Sequence, residues 1–380
     1  MFNILLVFGT RPEAIKMAPL VHKLKHNPYF HTQVCVTAQH REMLDAVLEI
    51  FDIQPDFDLN IMKKGQNLAD ITTQMIQELD KIYQSFKPDL VLVHGDTSTT
   101  FSASLAAFYN KIKIGHIEAG LRTGNIYSPW PEEANRKLTG VLTDFHFAPT
   151  KEAQENLLKE GYSKDKIFVT GNTVIDALFL AKDKIENSNS LDSEYQKKFS
   201  FLNLEKKIIL ITGHRRENLD GGLENICKAV KKIADLHPDI QFVYPVHLNP
   251  KVQDVVSNVL SKQHNIFLIK PLDYLPFVWL MKHSYLILTD SGGIQEEAPS
   301  LGIPVLVTRE NTERPEALLA GTIKLVGTDQ KKIIDTVSLL IQNSDEYLKM
   351  SQAINPYGDG HTSEKISQII QKNCLENFSS

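Results

Sequence analysis

The sequence has few cysteines, and its charged residues show no excess of positive charge. Cys35, Cys227 and Cys374 are odd in number and far apart, which is typical of a reducing compartment and of buried free thiols rather than of a disulfide scaffold. Lys and Arg total 41 against 46 Asp and Glu, a net charge of −5. This balance argues against general binding to nucleic acid or to a membrane surface, although it permits a local cationic pocket for a small anion.

Long hydrophobic runs are also missing, since none approaches the roughly 20 residues of a membrane span. The apolar stretch Phe2–Phe8 has no basic flank before it and no small-residue cleavage pattern after it. We therefore predict a first buried strand there rather than a secretory signal. A cytoplasmic protein is the simplest expectation.

The length of 380 residues predicts two domains or three. Short apolar runs alternate with longer amphipathic stretches, which predicts parallel strands covered by helices on both faces. This alternation stops at about 185–206, a polar and charge-rich stretch for which we predict a linker or loop, and then resumes. The predicted fold is α/β with two domains, 1–172 and 173–360. We expect a C-terminal helix within 361–380 to pack on the N-terminal domain.

Glycines and ionisable residues follow many of the predicted strands. Ligands of open parallel sheets bind beyond the carboxyl ends of the strands, so these positions predict a binding site. A helix cap or a solvated loop is the favoured interpretation of any one of them, but not of all of them together. The six segments concerned are Gly9–Glu13, His94–Thr97, His116–Arg122, Thr212–Asn218, Pro245–His247 and Asp290–Gly293.

The second domain contains a candidate phosphate cradle. Ser291, Gly292 and Gly293 precede a predicted helix, where backbone N–H groups can approach an anion. An ordinary Ser N-cap explains the same motif equally well. Because the sequence has neither a Walker lysine nor a Gly-x-Gly-x-x-Gly motif, nucleoside-triphosphatase and nicotinamide sites are disfavoured. The candidate cations for a diphosphate are Arg11, Lys16, His214 and Arg314.

Three carboxylates of the first domain, Asp96, Glu118 and Glu132, follow predicted strands or begin a helix. Carboxylates beside a sugar can move protons and stabilise an oxocarbenium ion. Taken by itself, Glu132 is better interpreted as the usual acid at a helix start, after Pro131. In the second domain, Glu297 is a candidate acceptor for ribose hydroxyls. The 13 histidines show no metal-ligand spacing, so we predict no metal.

These segments together resemble the bacterial non-hydrolysing UDP-N-acetylglucosamine 2-epimerases. The matching motifs run in order over nearly the whole chain. They are GTRPEAIKMAPL (9–20), HGDT (94–97), EAGLR (118–122), PEEANR (131–136), GNTVID (171–176), HRREN (214–218), YPVHLNP (244–250), TDSGGIQEEAPSLG (289–302), TERPE (312–316) and NPYGDG (355–360).

The resemblance implies two Rossmann-like domains of the glycosyltransferase-B architecture with an interdomain cleft, a homodimer, and no cofactor. It also implies reversible epimerisation at C2 of UDP-N-acetylglucosamine by elimination of UDP and its re-addition. Asp96, Glu118 and Glu132 would be the acid/base and cation-stabilising groups, and Arg11 and His214 would contact the leaving diphosphate. The remaining implied substrate-binding residues are Lys16, Leu272, Phe277, Ser291, Gly292, Gly293, Glu297 and Arg314, with Phe277 near the uracil.

The sequence departs from the family pattern in two places. Leu272 stands where relatives often have Gln, so a uracil contact there would use the backbone. Some relatives are activated by UDP-N-acetylglucosamine at a second site with glutamines and an arginine. Gln39 is kept, but Glu42 and Gly65 replace a Gln and the Arg. We therefore predict that this activation is reduced or absent.

Other functions remain as alternatives. A hydrolysing 2-epimerase would release N-acetylmannosamine and UDP. A glycosyltransferase of the same fold would need an acceptor segment, and none is evident. A non-catalytic sugar-nucleotide sensor would be expected to lose the acid/base carboxylates, yet Asp96, Glu118 and Glu132 are all present.

Overall fold

A computed structural model of the chain describes residues 1–38, 41–62, 65–213, 215, 218 and 221–375, with side chains up to Asn373. Its chain divides into two compact units. The first contains Met1–Leu180 and the chain from Tyr357 onward, and the second contains Ala181–Pro356.

The first unit contains a seven-stranded parallel sheet in the order β3-β2-β1-β4-β5-β6-β7. The strands are β1 (Phe2–Phe8), β2 (Phe30–Val36), β3 (Phe57–Asp58), β4 (Leu90–His94), β5 (Lys113–Ile117), β6 (Phe145–Ala148) and β7 (Ile167–Val169). The helices are α1 (Arg11–Lys25), α2 (Arg41–Ile50), α3 (Leu68–Phe86), α4 (Ser98–Tyr109), α5 (Glu132–Leu142), α6 (Lys151–Lys159) and α7 (Thr173–Glu186), whose last six residues belong to the second unit. Strands β1 and β4 are almost wholly buried, as expected for the centre of a sheet covered on both faces.

The second unit contains a six-stranded parallel sheet in the order β10-β9-β8-β11-β12-β13. The strands are β8 (Ile208–Thr212), β9 (Gln241–Pro245), β10 (Ile266–Ile269), β11 (Leu286–Thr289), β12 (Val305–Val307) and β13 (Ile323–Leu325). The helices are α8 (Asn189–Lys198), α9 (Gly222–Leu236), α10 (Pro250–Leu260), α11 (Tyr274–Lys282), α12 (Gly292–Glu297), α13 (Pro315–Ala320), α14 (Gln330–Gln342) and α15 (Ser344–Ser351). The prediction of two α/β domains with parallel sheets is confirmed.

The last helix, α16 (Thr362–Leu375), packs on α1 of the first unit. Asn27 donates from Nδ2 to Ser367 Oγ over 3.2 Å, and Lys23 forms an ion pair with Glu364. Ile366 and Ile370 are fully buried. The apolar face of this helix therefore joins the core of the N-terminal unit.

The linker or loop predicted for 185–206 is wrong over much of its length, because α8 occupies the middle of it. Tyr195 and Phe199 are buried, and the Phe199 ring stacks on Trp279 at a centroid distance of 5.0 Å. Trp279 also donates from Nε1 to Asp192. A few aromatic contacts hold this otherwise polar helix on α11. The polar composition of the segment gave no indication of these contacts.

The two cysteines whose side chains are described, Cys35 and Cys227, are buried free thiols, as predicted. Burial raises the pKa of Cys35, and it raises the pKa of Cys227 to about 12. Both therefore remain protonated at neutral pH.

Candidate active site

Glu118 lies immediately after β5 and is held by three neighbours in the first unit. Its Oε1 accepts a hydrogen bond from Asn172 Nδ2 over 2.9 Å and forms an ion pair with Lys16. Its Oε2 lies 3.6 Å from His94 Nε2. The Glu118 backbone has φ of +64°, a left-handed conformation that is costly for a residue with a side chain and is concentrated at functional sites. The surrounding contacts therefore fix both the backbone and the carboxylate.

Gly95 allows the loop after β4 to approach this carboxylate. Its φ is +67°, and a Cβ built there would lie 3.4 Å from Glu118 Oε2. The adjacent His94 is buried, and this burial lowers its pKa to about 4. His94 is therefore neutral at pH 7, and the positive charge beside Glu118 comes from Lys16.

Asp96 lies on the same β4–α4 loop and is held from α5. Arg136 forms an ion pair with its carboxylate, and Asn135 donates from Nδ2 to its carbonyl oxygen over 2.9 Å. Arg136 is itself fixed by Glu133, whose Oε2 accepts from Nη1 over 3.1 Å. The N-terminal half of α5 thus positions Asp96.

The neighbouring acids Glu132 and Glu133 have different environments. Glu133 is fully buried and accepts from the backbone N–H groups of Thr123 and Gly124, at 3.2 and 3.4 Å. Glu132 is half-buried, and its Oε2 is buried without a hydrogen-bond partner among the described residues. Of the two, Glu132 is the one with a buried oxygen that no described group satisfies.

The two candidate cations of the first unit, Arg11 and Lys16, have different surroundings. Arg11 is the first residue of α1, and its side chain is exposed beyond the end of β1. Lys16, one turn further along α1, is directed to Glu118. The helix places both residues near the carboxyl edge of the sheet, and among the described residues Lys16 has the carboxylate of Glu118 as its partner.

In the second unit, two guanidinium groups flank the Gly–Gly turn after β11. A Cβ built on Gly292 would lie 3.8 Å from Arg314 Nη2 and 4.0 Å from Arg215 Nη2. Helix α12 has only six residues, so its dipole contributes little, and the Ser291 side chain does not cap it. An anion placed at this turn would interact with the guanidinium groups and the nearby backbone N–H groups.

Glu296 and Glu297 at the end of α12 have separate roles. Arg314 forms an ion pair with Glu296, which is 1% exposed. Glu297 accepts a hydrogen bond from the Tyr274 hydroxyl over 3.0 Å. Burial, followed by the charge of Glu297, raises the pKa of Tyr274 well above its usual value, so Tyr274 stays a donor. A Cβ on Gly293 would lie 3.6 Å from Glu297 Oε2, which places this carboxylate beside the turn.

Two of the remaining predicted residues follow β10 in the second unit, and two others lie outside the residues that the structure describes. Leu272 is half-buried between β10 and α11, and Phe277 is half-buried on α11. His214 and Gln39 lie outside the described residues.

Several residues that position the predicted site residues were not themselves predicted from the sequence. Asn172, Arg136 and Arg215 lie in the motifs GNTVID, PEEANR and HRREN, so the motif matches carried a signal for them. Their individual contacts were not predictable, because each reaches a residue distant in the chain.

Over the described part of the chain, no group of three or more His, Cys, Asp or Glu side chains is arranged to hold a metal ion. In the same residues, no helix combines the length and hydrophobicity needed to cross a bilayer.

The fold and the two groups of polar side chains place the protein among the two-domain α/β enzymes of the glycosyltransferase-B type. The profile of the UDP-N-acetylglucosamine 2-epimerase family matches residues 22–371. UDP-N-acetylglucosamine 2-epimerase from Salmonella typhimurium is 59% identical, over 97% of this chain and 98% of its own. The chain belongs to the UDP-N-acetylglucosamine 2-epimerase family.

Solved structures of family members have the same fold. The Neisseria meningitidis UDP-GlcNAc 2-epimerase bound to UDP-GlcNAc has a TM-score of 0.89 and 54% identity, covering 98% of this chain and 100% of its own. The Methanocaldococcus jannaschii enzyme in complex with UDP-GlcNAc and UDP has a TM-score of 0.79 and 32% identity, with the same coverage.

Proposed function

We propose that this chain interconverts UDP-N-acetylglucosamine and UDP-N-acetylmannosamine by inverting C2 while the sugar is returned to the nucleotide. Membership of the family supports the reaction class. The bound UDP-GlcNAc in the Neisseria meningitidis structure supports the substrate.

The C2 proton of the substrate is not acidic, because no carbonyl group lies next to C2 in the sugar ring. Elimination avoids this difficulty. The C1–O bond to UDP breaks with its electron pair leaving on the diphosphate, and a base removes the C2 proton, giving 2-acetamidoglucal. UDP then adds back to C1 while a proton is delivered to the other face of C2. This route needs carboxylates for the protons and cations for the departing diphosphate.

The observation that carries the proposal is the fixed position of Glu118 at φ +64°, between Lys16 and Asn172. Strained residues persist where their surroundings hold them, and they are concentrated at functional sites. We assign proton transfer and stabilisation of the oxocarbenium-like state to Asp96, Glu118 and Glu132. The buried, unpartnered Oε2 of Glu132 supports its part in this work.

We assign UDP binding to the second unit. Arg215 and Arg314 beside Gly292 would contact the phosphates, together with the backbone at Ser291 and Gly293. Glu297, oriented by Tyr274, would accept from the ribose hydroxyls, and Phe277 and the Leu272 backbone would contact the uracil. Arg11, Lys16 and His214 complete the proposed contacts to the leaving diphosphate.

From the resemblance we further propose a cytoplasmic homodimer that needs no cofactor. Its product would supply N-acetylmannosamine units for a cell-surface polysaccharide. The hydrolysing 2-epimerase and the non-catalytic sensor are the competing functions, and the products distinguish all three.

The test is to incubate the purified protein with UDP-N-acetylglucosamine and to identify the products by NMR. The proposal predicts an equilibrium mixture of two UDP-sugars. Accumulation of free N-acetylmannosamine and UDP would favour the hydrolysing enzyme, and unchanged substrate would favour the sensor. Glu118→Gln should lower kcat by about a hundredfold or more while the UDP dissociation constant changes by less than about threefold. Equal losses in both would contradict a catalytic role.

A further inference from the structure

Glu13 is a buried carboxylate in the first turn of α1, outside the proposed catalytic groups. It is 2% exposed and forms a capping box with Thr10, the N-cap residue. A capping box ordinarily satisfies the N–H groups of its own helix and does no more. The contacts of Glu13 extend well beyond this local role.

The two oxygens of Glu13 face two different loops. Oε2 accepts from the backbone N–H groups of Gly9 and Thr10, at 3.0 and 2.8 Å. Oε1 accepts from the Thr97 hydroxyl over 2.6 Å, and Thr100 Oγ1 lies 3.3 Å from it. One carboxylate therefore connects the β1–α1 loop to the β4–α4 loop, 84 residues further along the chain.

These loops carry residues of the proposed site. Arg11 follows Thr10 directly, and Asp96 precedes Thr97. The β1–α1 loop is closely packed, because a Cβ on Gly9 would overlap Thr37 Oγ1 at 1.9 Å. Burial raises the pKa of Glu13, which is opposed by the hydrogen bonds it accepts.

The capping box of α3 is a natural comparison. There, Asp70 accepts from the Asn67 backbone N–H over 3.1 Å, and Asn67 Oδ1 accepts from the Asp70 N–H over 3.0 Å. Asp70 is exposed, whereas Glu13 is buried between two loops. Asp70 therefore provides a matched control for the purely local effect of a capping acid.

We propose that Glu13 is a positioning residue for the epimerisation, which holds the loop of Arg11 against the loop of Asp96. This inference rests on the proposed function. A displacement of about 1 Å between reacting groups can cost a hundredfold in rate, so loss of the connection should appear in kcat.

Four variants test this role: Glu13→Ala, Glu13→Gln, Thr97→Val and the double variant Glu13→Ala/Thr97→Val. Glu13→Gln keeps an acceptor for the two N–H groups, and its amide can donate to the threonine hydroxyls. We expect its kcat to stay within about threefold of the unsubstituted protein. Glu13→Ala and Thr97→Val should each lower kcat by about tenfold or more, under conditions where circular dichroism shows them folded.

The double variant distinguishes a connection from two separate defects. If Glu13 and Thr97 act through one hydrogen bond, the double variant should be no slower than the slower single variant. The control Asp70→Ala should lower the melting temperature and leave kcat within about twofold.

Several results would overturn the role of Glu13. They are losses that multiply in the double variant, a kcat within about twofold in folded Glu13→Ala, or an equal loss in Asp70→Ala. If Glu13→Ala does not fold, Thr97→Val decides, because it keeps Glu13 and its backbone contacts; a kcat within about twofold then overturns the proposal. An unsubstituted protein that makes no epimer would contradict the proposed function itself.

Discussion

Asn172 donates from Nδ2 to Glu118 Oε1 over 2.9 Å, across 54 residues of sequence. The same side chain accepts from the Val174 backbone N–H at the start of α7, and its backbone N–H donates to the Tyr357 carbonyl over 2.7 Å. The side-chain oxygen and the backbone N–H of Asn172 are therefore both held by hydrogen bonds, which orient its Nδ2 towards Glu118. The proposed catalytic carboxylate is oriented by an amide that the protein holds in place.

Asn172→Asp keeps the shape of this side chain and its acceptor for Val174, but removes the donor to Glu118. The new carboxylate would repel Glu118, so we expect kcat to fall by about tenfold or more while UDP affinity is nearly unchanged. Steady-state rates and calorimetric UDP titration give the two values. A parallel loss of UDP affinity would show that the change disturbs more than Glu118.

Gly292→Ala should have different effects on the thermal stability of the protein and on its affinity for UDP. The new methyl group would make ordinary contact with Arg314 at 3.8 Å, and alanine favours a helix over glycine by up to about 1 kcal/mol. We therefore expect an unchanged or higher melting temperature. The methyl group would also occupy space beside both guanidinium groups, so the UDP dissociation constant should rise by about tenfold. Unchanged UDP affinity would contradict the proposed phosphate contact.

Three buried histidines should make the protein less stable as the pH falls. Burial lowers the pKa of His94 and His146 to about 4, and that of His116 to about 3. Below pH 6.5 the unfolded chain binds protons that the folded chain does not, so stability falls from about pH 6.5 towards pH 4. Each such histidine contributes up to about 1.4 kcal/mol per pH unit.

His146→Leu removes one of these titrations and should make the pH dependence shallower by up to about that amount. Urea unfolding between pH 7.5 and 5 measures the slope. His264→Leu is the control, because His264 is exposed, and its slope should match that of the unsubstituted protein. Equal slopes in all three proteins would contradict the assignment of a neutral, buried His146.

We expect little or no activation by a second molecule of UDP-N-acetylglucosamine. By the resemblance, Glu42 and Gly65 stand where some relatives have a Gln and an Arg, so the cationic anchor for a second diphosphate is weakened. Gly65 has φ of +88°, a conformation that disfavours most other residues. The rate against UDP-N-acetylmannosamine concentration should be hyperbolic. A strongly sigmoidal curve relieved by trace UDP-N-acetylglucosamine would contradict this prediction.

The strands and most helices were predictable because their hydrophobic pattern is local. Residues 98–109 form the helix that the periodicity predicts, and 145–148 form the predicted strand. Helix α8 was missed because its packing depends on Phe199 and Trp279, which are 80 residues apart, while its own composition is polar. Local patterns cannot reveal such a contact.

The candidate site was predictable as a set of residue types, but its internal contacts were not. The motifs identified Glu118 and Lys16 separately, and the structure pairs them. The local sequence does not distinguish Glu132 from Glu133. In the structure, Glu132 is half-buried, whereas Glu133 accepts a hydrogen bond from the backbone of the loop at Thr123. The contacts of Glu13 were equally hidden, since a capping box is what its spacing from Thr10 alone predicts.

The most direct test of the proposed elimination and re-addition is to incubate the protein with UDP-N-acetylglucosamine in D2O and to follow C2 by NMR and mass spectrometry. Removal of the C2 proton and delivery of a solvent proton predict deuterium at C2 of UDP-N-acetylmannosamine. Conversion to the epimer with hydrogen retained at C2, or release of UDP and free sugar without an epimeric UDP-sugar, would contradict it.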